Sequence, residues 1–126
     1  MTPVTRLVPH DTPFVDPSCI ENLVRQIGKG AAERFVGRAL EDLALVLNRV
    51  ERAKSDGDWE RMIDHADSLG SIAEELGLVT LATVASALAH PLRRGDAAAA
   101  FAIVARLVRV GEKSLVSVWS THDMSL

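Results

Sequence analysis

The sequence predicts an all-α protein, an up-down-up-down four-helix bundle with a short N-terminal cap helix. Three observations lead there. Apolar residues recur at three-and-four spacing through most of the chain, no stretch alternates as a strand would, and clusters of Gly, Pro and Asp cut the periodic runs into one short and four longer helices joined by short turns. Of the 126 residues 48% are apolar but only 4% aromatic, with no Tyr, so the core must be aliphatic.

Residues 1–15 read as an N-terminal arm. Pro3, Pro9, Pro13 and Pro17 deny it a helix, because each lacks an N–H and biases its predecessor toward extended geometry. Phe14 and Val15 are its candidates for packing. The bundle occupies 16–120, and 121–126 form a polar tail. Asp16-Pro17 is a start signal, an N-cap carboxylate before Pro at the first helical position. The cap helix runs from about residue 17 to 27 with Ile20, Leu23, Val24 and Ile27 inward, and Gly28 and Gly30 end it. The next helix, about 31–54, turns Phe35, Val36, Ala39, Leu40, Leu43, Val46, Leu47 and Val50 to one side. After the turn Ser55-Asp56-Gly57-Asp58, a helix capped by Asp58 spans 59–76 with Trp59, Met62, Ile63, Ala66, Leu69, Ile72, Ala73 and Leu76 inward, and Gly77 breaks it. An apolar helix follows over 78–89, ending near His90-Pro91. Asp96 caps the last, about 97–119, whose inward stripe is Phe101, Val104, Ala105, Val108, Leu115 and Val118.

Composition excludes several classes. Fourteen Lys and Arg against seventeen Asp and Glu give a net charge of −3, with no basic block, so nucleic acid is not an expected partner. The single Cys19 supports neither a disulfide nor a structural zinc site. The proline-spaced opening is neither a signal peptide nor a membrane span, so a cytoplasmic location without membrane contact is expected. There is no phosphate loop, metal-ligand spacing or set of nucleophile, base and oxyanion donors, so no enzyme activity and no cofactor are expected.

One segment carries more. Residues 58–78 read DWERMIDHADSLGSIAEELGL. This resembles the histidine phosphotransfer (HPt) domain of bacterial phosphorelays, whose second long helix carries D-W, an apolar residue three on, A-H-x-L-K-G-S/A, and L-G at its end. Asp58-Trp59, Met62, Ala66, Leu69 and Leu76-Gly77 match without gaps. Downstream, Leu81, Leu88-Ala89 and Arg94-Gly95-Asp96 fall where the family has its next helix and turn, and the likeness spans roughly residues 14–119. It implies a five-helix order like the one predicted and a receiver domain or histidine kinase as partner.

The superposition also places Asp67 at the phosphoacceptor histidine, Gly70 at the lysine and Ser71 at the glycine. In the family the imidazole takes the phosphoryl group from a receiver aspartate and the lysine offsets its charge. Asp67 has neither that nucleophilicity nor the metal and lysine that carboxylate acceptors use. The expectation is therefore a partner-binding module that carries no phosphate, with Glu60, Asp64, Ser68, Gly70, Ser71 and Glu74 as its docking face. His65 is the alternative phosphoacceptor through a local register shift, although it lies about 200° around the helix from Asp67. A third reading is a structural or oligomerising bundle. The apolar excess over 78–89 has two accounts, full burial within the chain or a homodimer contact. Asp64 and Asp67 alone make too weak a hard-cation site to predict a metal. Gly37, Gly70 and Gly111 inside helical runs suggest close helix approach or bends.

Overall fold

The computed structural model describes residues 13–124, with side chains through 118. Residues 1–12, including His10, lie outside the described residues, as do the side chains of 119–126, including that of His122. The described residues form six helical segments and no strand: α1 (Ser18–Ile27), α2 (Lys29–Ser55), α3 (Trp59–Leu76), α4 (Val79–Ser86), α5 (Ala89–Arg93) and α6 (Ala97–Met124).

Local signals set most of these boundaries. The Asp58 carboxylate accepts from the Arg61 N–H at 3.1 Å at the start of α3, and Asp96 does the same for Ala99 at the start of α6. Ser18 donates to Asp16 Oδ1 through both its N–H (3.0 Å) and its hydroxyl (2.8 Å). These bonds, the hydroxyl one foremost, hold the Asp16 carboxyl below the usual carboxylate range. Gly77 ends α3 in the left-handed region at φ +77°, where a Cβ would also collide with the Asp16 carbonyl.

The core is aliphatic throughout. Leu43, Val50, Met62, Leu69, Leu76, Leu81 and Leu107 are fully enclosed, and α2 and α3 present the inward sets that their periodicity predicts, apart from their aromatic residues. Leu78, Leu81, Val84 and Leu88 are all buried and Val79 is the one large apolar residue of that stretch left exposed, so burial within one chain accounts for most of its apolar excess.

Several expectations are corrected. The helix expected over 78–89 is two pieces, parted where the Ala87 and Leu88 N–H groups bond three residues back, to Val84 and Ala85. Pro91 does not end a helix; it sits in the first turn of α5, where a missing N–H costs little. Gly30 lies inside the first turn of α2 instead of ending α1. The backbone of α6 continues helical to Met124, beyond the expected end at 119 and into the expected tail. Its buried stripe is Ala100, Val104, Leu107, Val110, Gly111, Ser114 and Val118, which keeps Val104 and Val118 of the expected one, with Val108 and Leu115 partly buried against the core. Phe101 is 38% exposed and Ala105 is exposed.

The aromatic residues sit at the rim. Trp59 and Phe101 are tilted against each other with centroids 5.8 Å apart, and Lys54 Nζ stands 5.2 Å from the Phe101 centroid. This cation–aromatic cluster ties the end of α2 to the starts of α3 and α6. Phe35, expected inward, is also partly exposed. On α1 no residue is fully buried, and Ile27 is 47% exposed.

The arm is anchored by backbone pairing. Val15 bridges Leu78 in antiparallel fashion. The Phe14 N–H donates to Thr80 Oγ1 at 2.7 Å, Val79 N–H to the Phe14 carbonyl at 3.1 Å, and Asp16 N–H to the Gly77 carbonyl at 2.8 Å. Val15 packs against the core while Phe14 is exposed.

Candidate functional site

The rotation of α3 decides what its outer face offers. Met62, Ala66, Leu69, Ala73 and Leu76 are all buried, which fixes one side of the helix inward. At about 100° per residue the opposite side must carry Glu60, Asp64, Asp67, Ser71 and Glu74. All five are exposed, as is Ser68. Asp67 therefore stands mid-helix in solvent, with Gly70 and Ser71 one turn further on.

Gly70 lies at the flank toward α4. A Cβ there would meet only Ala85 Cβ, at 3.7 Å, an ordinary van der Waals contact. The backbone between α3 and α4 is thus lightly covered, and room remains for a larger side chain at 70. His65 is half-buried on the other flank, about 140° around the helix from Gly70. The structure brings Asp67, Gly70 and Ser71 together and leaves His65 apart from them.

Three hydroxyls of this surface donate to carbonyls of their own helices. Ser71 Oγ donates to the Asp67 carbonyl at 3.2 Å, Thr83 Oγ1 to the Val79 carbonyl at 3.0 Å and Ser86 Oγ to the Thr83 carbonyl at 2.8 Å. With carboxylates at 60, 64, 67 and 74 and no basic residue in the row, the face offers acceptors and negative charge. Such a surface repels a phosphoryl group and suits a partner that brings donors. Thr83, Ser86 and Ala85 were not legible as parts of this site, because nothing in sequence fixes how α4 is rotated against Gly70.

One concavity borders these elements and a second lies away from them. A cleft of about 340 Å³ lies between Cys19, Glu74, Gly77, Val79, Ala82, Thr83 and Ser86. A larger groove of about 490 Å³ opens between α1, α2 and residues 117–118 of α6. Among the described residues no group of three His, Cys, Asp or Glu side chains is placed to hold a metal ion, and no helix is long and apolar enough to cross a membrane. No family profile, curated protein or solved structure matches the chain.

Proposed function

We propose that the chain is an HPt-like module of two-component phosphorelay signalling, an up-down-up-down four-helix bundle in the cytoplasm. Its α3 face binds a receiver domain or a histidine kinase without carrying phosphate, and it catalyses nothing itself. The observation that supports this reading best is the exposure of Asp67 at mid-helix beside Gly70 and Ser71, the place and surroundings that the HPt resemblance assigns to the phosphoacceptor. The acidic chemistry of the face supports the second half of the reading, since its row of carboxylates holds no cation to receive phosphoryl oxygens.

Incubation with phosphorylated receiver domains tests it. The protein stays unlabelled and forms a saturable complex with at least one receiver or kinase of its own organism. Label on His65 would replace this reading with active phosphotransfer, and failure to bind any of them would leave only a structural bundle. Asp67→His combined with Gly70→Lys should gain phosphate acceptance, because a Cβ at position 70 meets only an ordinary contact with Ala85; a folded double variant that takes no label would count against the docking face.

A further inference from the structure

The groove between α1, α2 and the far part of α6 stands apart from the α3 face. Val15, Ile20, Val24, Ala32, Val36 and Val118 give it an aliphatic wall, and its volume of about 490 Å³ falls in the range usual for small-molecule pockets.

Glu21, Lys29, Glu33 and Ser117 interrupt that wall. Glu33 lines the groove, and its Oε2 is shielded from water without a hydrogen-bond partner. Buried polar atoms nearly always have partners, so an orphaned carboxylate oxygen calls for a chemical explanation. An ionised carboxylate only accepts, and its strongest complement is a cationic donor. Because this oxygen is already stripped of water, meeting such a donor costs the protein little further desolvation. Lys29 and Ser117, in the same wall, already have partners of their own. Glu21 adds a second carboxylate, which disfavours any anionic occupant.

We infer that the groove binds an aliphatic chain ending in a primary ammonium, with the chain against Val24 and Val36 and the ammonium on Glu33. The inference is independent of the signalling role proposed above, since the two sites share no residue.

The test uses the full chain and three matched probes, n-octylammonium, n-octanol and octanoate, each titrated below its solubility or micelle limit and followed by methyl and backbone-amide NMR. Saturable shifts are expected at Ile20, Val24, Val36 and Val118, with the ammonium bound about tenfold more tightly than the alcohol and octanoate the weakest. Glu33→Gln should lower the ammonium to the level of the alcohol, and Val24→Ser, at a half-open position, should weaken all three alike. Equal affinities for the three probes, shifts centred on Glu60, Asp64 and Asp67, or an undiminished ammonium preference in a folded Glu33→Gln variant would each overturn the inference. Should that variant fail to fold, the ranking of the three probes on the unaltered protein decides.

Discussion

Helices α3 and α6 each interrupt an apolar run with a glycine and a nearby serine, and they use the interruption in opposite ways. On α3, Gly70 and Ser71 lie on the open side, with only Ala85 near position 70 and the Ser71 hydroxyl bonded to its own helix. On α6, Gly111 and Ser114 face the core. A Cβ at 111 would come within 2.8 Å of Leu47 Cδ2, and Ser114 is fully buried with its Oγ unpartnered. The same residue types thus mark a surface left bare on one helix and a close approach between helices on the other. What decides is the residue opposite, Ala85 in one case and Leu47 in the other.

Substitutions can break this contrast, and Gly77 sets the upper end of their scale. Gly77→Ala combines a left-handed backbone with a collision against the Asp16 carbonyl, so a loss of about 3 kcal/mol or more in chemical denaturation is expected. Gly111→Ala pushes a methyl into Leu47, which is 5% exposed and has little freedom to yield. The overpacking outweighs the helix-propensity gain of about 1 kcal/mol, leaving a net loss of about 1–2 kcal/mol. A stabilised variant would show that α6 is not held as closely to α2 as described.

The opposite sign is expected at the other two positions. Ser114→Ala removes a buried hydroxyl without a partner and should raise stability by about 1 kcal/mol. Gly70→Ala should gain slightly less, about 0.5–1 kcal/mol, from helix propensity alone, with binding to any α3 partner as the second readout. A loss at 70 as large as that at 111 would erase the distinction between the two faces.

The smallest effect is a pH dependence. The folded Asp16 carboxyl is held low by Ser18, so its contribution is present above the ordinary carboxylate range and fades as pH falls through the folded value. In thermal melts from neutral pH into the acid range, Ser18→Ala should lower stability slightly at neutral pH and converge with the unaltered protein at the acid end, which flattens that part of the profile. An unchanged acid limb would remove Asp16 from the account.

How much could be read in advance followed the chemistry of each core position. Where Leu, Val, Met and Ala fill the core, as at Leu40, Leu43, Leu47, Met62, Leu69 and Leu76, periodicity alone located the buried face. That correct rotation of α3 is also why the exposure of Asp67 was legible. On α6 the expected stripe holds at Val104, Val108, Leu115 and Val118 and fails at Phe101 and Ala105, and hydrophobicity gave no sign that Gly111 and Ser114 share the core side. The aromatic residues misled for a related reason: Trp59 and Phe101 gain their stabilisation from each other and from Lys54 at the rim. The break at Ala87-Leu88 has neither Gly nor Pro to announce it. Glu33 was invisible as well, since a lone carboxylate one turn into a helix carries no signal until the neighbouring elements cover it.

The arm's backbone pairing has a kinetic consequence. Its hydrogen bonds fasten the entrance of α1 to the α3–α4 corner, whereas α1 has no fully buried side chain to hold the rest of it. In amide hydrogen exchange α1 should therefore open as its own unit at a cost below that of global unfolding, while the amides of α2 and α3 wait for the whole molecule. The Asp16 and Val79 amides, bonded across the join, are the reporters of the moment the two units part.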